Sequence, residues 1–160
     1  MKLHRMIASL AALQVICFLL LSHLEPDFFL LHFYQTVIYL AILILFFFFE
    51  DRWAYMIGML APAAWLILAF STGLLGAGFR QLMSLGEGQG LTNVVSFLAA
   101  MTSILSAWMI LASGLRWKRE YAGLGKGWST FGISLGIVAA YYAVLVVWFW
   151  RMIPPDMARN

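Results

Sequence analysis

Five stretches of the chain, at about 6–23, 28–49, 53–75, 91–115 and 131–152, are almost wholly apolar and carry no Asp, Glu, Lys or Arg in their interiors. A helix rises about 1.5 Å per residue and the hydrocarbon core of a bilayer is about 30 Å thick, so roughly 20 apolar residues suffice to cross it. A helix also satisfies every backbone N–H and C=O within its own segment, which hydrocarbon demands. The expected fold is therefore all-α: a polytopic membrane protein with a bundle of about five transmembrane helices, formed by residues 1–160 as one domain. Composition agrees. The chain is 64% hydrophobic and only 11% charged, against about 45–50% and 25% in soluble domains, so lipid has to be the solvent for most of its surface.

The breaks between the stretches set their connections. Glu25-Pro26-Asp27 and Glu50-Asp51-Arg52 are tight polar joints, each predicting an antiparallel hairpin. The third break holds Gly73, Gly76, Gly78, Gly86, Gly88 and Gly90 around Phe79-Arg80-Gln81-Leu82-Met83. That spacing predicts a short amphipathic helix lying in the interface between the third and fourth spans. A re-entrant segment is the alternative. The fourth break, Arg116 through Lys126, is the one basic cluster.

With the N-terminus inside, Lys2, Arg5, Arg52, Arg116, Lys118, Arg119 and Lys126 face the cytoplasm, seven in all, against Arg80, Arg151 and Arg159, three, outside. The positive-inside rule thus favours N-in, C-out. Trp53, Trp117, Trp128, Trp148 and Trp150 fall near helix ends, where aromatic rings are expected at headgroup level. The first stretch follows Lys2 and Arg5 as a signal peptide would, but no Ala-x-Ala-like site precedes Glu25, so an uncleaved anchor is expected. A bacterial inner membrane is the expected location.

An ionised side chain at mid-bilayer costs about 2.5–3.5 kcal/mol on an insertion scale. Helix interiors without one speak against a proton pump, voltage sensor or charge-coupled antiporter. No internal repeat is evident, which speaks against an inverted-repeat transporter. The lone cysteine, Cys17, allows neither an internal disulfide nor a Cys-based metal cluster. The net charge of +3 reads as topology, and nucleic acid is not an expected partner.

The polar residues inside the spans form three patterns. His32, Gln35 and Tyr39 share one face of the second helix at i, i+3 and i+7, with Thr36 beside them. His23, across the Pro26 turn, lies at a similar depth. This stripe is the candidate cofactor-binding site, for haem or a quinone, although the default is helix-to-helix hydrogen bonding, with Gln14 as a possible partner. The fourth helix presents Thr92, Ser96, Ala99, Ser103, Ser106 and Ser113, and the fifth presents Gly132, Gly136 and Ala140. Both read as small-residue seams through which helices approach closely, on each other or on a partner. A serine-lined pore is the competing reading of the first seam.

Outside the spans, Glu25, Asp27, Arg80, Glu87 and Asn93 form a charged and polar group that reads as solvated loops. Gly123 through Thr130 is outwardly similar to a phosphate-binding loop, but Gly127 follows Lys126 where Ser or Thr is required and no strand precedes it. Pro62 should kink the third helix. No nucleophile with a base and no buried carboxylate pair is evident, so an enzyme is not expected. No resident cofactor or metal is expected either. The leading functional expectation is a non-catalytic subunit or assembly factor of a larger membrane complex, bound to other membrane-protein subunits or to itself. The alternatives are a quinone, lipid or haem site at His32, Gln35, Tyr39 and Pro62, and an oligomeric channel lined by the Ser/Thr seam.

Overall fold

The computed structural model describes residues 2–121 and 127–149. These residues form six helices: α1 Lys2–Leu24, α2 Phe29–Phe47, α3 Asp51–Ser71, α4 Leu74–Gly86, α5 Val94–Tyr121 and α6 Gly127–Phe149. All except α4 are long and apolar enough to cross a membrane, the character of a multi-pass membrane protein. At 13 residues, α4 is about 20 Å long, short of the roughly 30 Å of hydrocarbon. It occupies the segment where the glycine spacing predicts a short helix.

Local chemistry sets the boundaries. Pro26 opens a 3-10 turn, Pro26–Phe28, that separates α1 from α2; a proline is well placed there because the first N–H groups of a helix lack partners anyway. The α2–α3 joint turns on Phe49, which has a positive φ of 61°. This left-handed residue stops α2 short of the expected residue 49, since a side chain in that region is disfavoured and does not continue a helix. Asp51 lies in the first turn of α3, where a negative charge complements the helix dipole. At the other end of α3, Gly73 has φ 77° and terminates it before the expected residue 75.

The start of α5 is doubly tied. The Asn93 side chain accepts a hydrogen bond from the Ser96 backbone N–H at 2.9 Å, an N-cap. Gln81 of α4 accepts from Thr92 Oγ1 at 2.7 Å and from the Asn93 N–H at 3.0 Å. The cap moves the start of the helix from the expected residue 91 to Val94. Its end lies six residues beyond 115, at Tyr121, because Arg, Lys and Glu continue a helix readily once the apolar run is over.

In the bundle, α3 touches α2, α4, α5 and α6, while α5 touches α1, α3 and α4. The first helix contributes Ile7, Ala11, Gln14, Phe18 and Leu21 to the interior, a three-to-four-residue rhythm that defines one inward face. Phe18 stacks on Tyr39 of α2 at 5.6 Å and meets Trp65 of α3 edge-on at 5.1 Å. The outer surface is apolar along its length: Ile16, Val37, Ile67, Trp108 and Val147 are all exposed. A patch of that extent is foreign to soluble monomers.

Charged residues collect at the two ends. Lys2, Arg5, Arg52, Arg116, Lys118 and Arg119 belong to helix ends on one side of the bundle, and Arg80 lies midway along α4; Lys126, Trp150, Arg151 and Arg159 lie outside the described residues. The expected tryptophan belt is amended at one position. Trp128 and Trp148 are exposed, but Trp117 is buried, its ring edge-on to Tyr121 at 5.6 Å.

Two glycines mark close approaches of different kinds. A Cβ on Gly78 of α4 would meet the Ala100 backbone N and Cα at 3.0 and 3.1 Å, whereas one on Gly58 of α3 would meet Ser113 Oγ at 3.0 Å and Met109 Cε at 3.3 Å. Backbone cannot yield, but side-chain ends can. Gly78→Ala should therefore lower stability by about 1–3 kcal/mol, the usual range for overpacking, and Gly58→Ala by clearly less. Unfolding titrations in detergent micelles check this; a neutral Gly78→Ala would contradict the packing.

Candidate functional site

The polar side chains within the bundle converge on one node. From α1, the buried Gln14 donates through Nε2 to the Thr102 carbonyl at 2.9 Å and to Ser106 Oγ at 2.8 Å on α5. Tyr39 of α2, fully buried, brings its hydroxyl near Ser106 and Tyr142. Tyr142 of α6 in turn donates to the Ala61 carbonyl of α3 at 3.2 Å, directly before Pro62. Neutral polar groups of five helices thus gather in the interior, with hydrogen bonds joining α1 to α5 and α6 to α3. Such bonds strengthen in low dielectric, and a group left unpaired there is correspondingly destabilising.

Not every group in the node is satisfied. Among the described residues, Gln14 Oε1, Gln35 Oε1, the Tyr39 hydroxyl and Trp65 Nε1 are buried without a hydrogen-bond partner. Above the node, toward the α1–α2 turn, the pattern changes. His32 Nε2 lies 2.8 Å from Glu25 Oε2, so the imidazole ties the turn to α2. Among the described residues its Nδ1 has no partner. Thr36 returns its hydroxyl to the His32 carbonyl at 3.1 Å.

The His32, Gln35 and Tyr39 stripe faces inward as a set, each residue buried, but the partners differ from those the spacing suggests. Gln14 reaches α5 and not the stripe. His23 is exposed while His32 is buried, so the two imidazoles do not share an environment. The Tyr39 ring is covered by Phe18. Among the described residues, no group of three or more His, Cys, Asp or Glu is arranged to hold a metal ion.

The two seams separate. On α5, Ser103, Ser106 and Ser113 are buried and Ser96 is half-buried, facing α1, α3 and α4 of the same chain. Ser103 and Thr102 return their hydroxyls to the Ala99 carbonyl at 2.7 and 2.9 Å, the local bonding open to Ser and Thr in helices. On α6 the buried face is Thr130, Ser134, Val138, Tyr142 and Leu145, packed mainly on α3. Gly132, Gly136 and Ala140 are exposed on the opposite side, and a Cβ on Gly132 or Gly136 would meet nothing within 4 Å. The seams do not pack on each other.

Sequence reasoning missed two roles. Asn93, grouped with the outer charges, caps α5; an Asn directly before an apolar run is a cap signal that could have found it. Tyr34 and Tyr141 stack at 4.3 Å and each donates its hydroxyl to the other's backbone carbonyl, latching α6 to α2. No local pattern announces that pairing. The outer group of Glu25, Asp27, Arg80, Glu87 and Asn93 divides among separate elements, with Glu25 on His32 and Asn93 on Ser96.

No protein-family model matches the chain, and neither curated proteins nor solved structures yield a match.

A double-mutant cycle tests the node. Gln14→Leu and Ser106→Ala should couple by about 0.6 kcal/mol and by no more than about 1.7, the range found for interhelical hydrogen bonds in membranes. Independent effects of the two substitutions on unfolding in micelles would contradict the bond.

Proposed function

We propose that this chain is a non-catalytic integral membrane protein that serves as a subunit or assembly factor of a larger membrane complex, docking through the outer face of α6. One observation carries the reading: Gly132, Gly136 and Ala140 line an open face. In lipid, apolar area by itself does not draw helices together, and small residues that admit a second backbone are the usual contact. Ser106 and Ser113 of the α5 seam are covered by helices of its own chain, whereas Gly132, Gly136 and Ala140 present an open face. The proposed occupant is a helix of a different membrane protein.

The proposed orientation is N-in and C-out, in a bacterial inner membrane. The orientation is supported by the collection of basic residues at the end of the bundle that holds the α1 N-terminus and the α5 C-terminus. A haem or quinone site at His32, Gln35 and Tyr39 has less support, because Glu25 engages His32 and Phe18 covers Tyr39.

Gly136→Leu separates docking from folding. With nothing within 4 Å of the added side chain's first atom, the variant should unfold at the same temperature as the wild type yet lose its co-purifying membrane protein in mild detergent. Ser106→Leu, inside the bundle, should lower stability itself. A wild-type chain that purifies alone, or a Gly136→Leu variant that keeps its partner, would contradict the reading; a homo-oligomer broken by Gly136→Leu would replace the foreign partner with a second copy.

A further inference from the structure

On the side of the bundle where α4 crosses α3 and α5, a groove of about 520 Å³ opens outward, within the size range of small-molecule sites. Its walls are side chains such as Leu66 and Phe70 of α3, Leu75 and Phe79 of α4, and Ile104 and Ala107 of α5. The lining includes one hydroxyl, that of Ser103, and it is spent on the Ala99 carbonyl of its own helix. Nothing in the walls would satisfy a polar ligand. A hydrocarbon chain would fit them, and the surrounding medium of five apolar helices is hydrocarbon.

The mouth of the groove is different. Gly76 is one of the groove's lining residues, and a Cβ on Gly76 would lie 3.9 Å from Arg80 Nη1, so the guanidinium folds back one helical turn to lie beside the groove wall. Among the described residues, no carboxylate pairs with Arg80 and no side chain hydrogen-bonds to it; Glu87, the acidic residue on the C-cap of α4, instead accepts from Gln89. A guanidinium presents a fork of donors that suits phosphate oxygens. A cation without a partner among the described residues, beside a slot whose one hydroxyl is already bonded and on a helix too short to cross the bilayer, has the form of a headgroup site above a chain site.

We propose that this groove binds one anionic phospholipid, with an acyl chain between α3, α4 and α5 and the phosphate on Arg80. The site is separate from the α6 face and does not depend on the docking reading.

Native mass spectrometry of the purified full chain in mild detergent tests it, with phosphatidylglycerol, phosphatidylcholine and inorganic phosphate as probes. The wild type should retain one phosphatidylglycerol in preference to phosphatidylcholine. Arg80→Gln should weaken phosphatidylglycerol about fivefold, the equivalent of about one surface cation, and phosphatidylcholine by less, because the choline ammonium already offsets its phosphate charge. Ala107→Phe, which fills the groove from an exposed position, should lose both lipids. Should that variant fail to fold, the exposed Arg80→Gln still decides the case. Equal retention of both lipids by the wild type, an unchanged preference in Arg80→Gln, inorganic phosphate competing as well as the whole lipid, or a folded Ala107→Phe that keeps its lipid would each overturn the proposal. So would a protein helix that occupies the groove and yields to neither lipid.

Discussion

Gln14 donates two hydrogen bonds from the first helix to the fifth, and the arrangement of the bundle follows from the constraint those bonds answer. In hydrocarbon a buried amide has no water to fall back on, and helices have no hydrophobic force to bring them together. Specific polar contacts and close backbone approach must do both jobs. Gln14 fixes α1 to α5, Gly58 admits α5 to α3, Gly78 admits α4 to α5, and Tyr142 anchors α6 beside Pro62 of α3. Removing charge from the helix interiors leaves neutral amides, hydroxyls and carbonyls as the available polar glue.

Much of the fold was legible because its strongest signals are local. Runs of apolar residues broken by Pro26, by Glu50-Asp51-Arg52 and by clustered glycines mark the helices and the short α4 between them. Boundaries shift by a few residues where a single conformation intervenes, as at the left-handed Phe49 and Gly73. The partner of each inward face was not legible. Gln14 and the His32, Gln35 and Tyr39 stripe lie at helical positions that fix depth and face, but which neighbour stands opposite depends on how five helices are arranged around one another. The same limit hid the division of the two small-residue seams, which look alike in sequence and face inward on α5 and outward on α6. Glu25 and His32 are seven residues apart across a proline turn, and only the turn geometry brings them to 2.8 Å.

The two proposals draw on different unfinished surfaces. The α6 face is open along Gly132, Gly136 and Ala140 and suits a second helix. The groove beside α4 is open and almost wholly apolar with Arg80 beside it, and suits a lipid. Both lie on helices that pack on α3, the helix with neighbours in four others, so the bundle offers these surfaces around a shared centre.

In the proposed topology α1, α2, α3, α5 and α6 cross the membrane while α4 lies along one face of it. Single cysteines placed at Ser71, Gln89 and Arg119 of a Cys17→Ala chain, labelled with a membrane-impermeant maleimide, test this most directly. Positions 71 and 89 flank α4 and should react from the same side, with 119 reacting only from the other. Labelling of 71 and 89 from opposite sides would mean that α4 crosses, and the five-span account would fail.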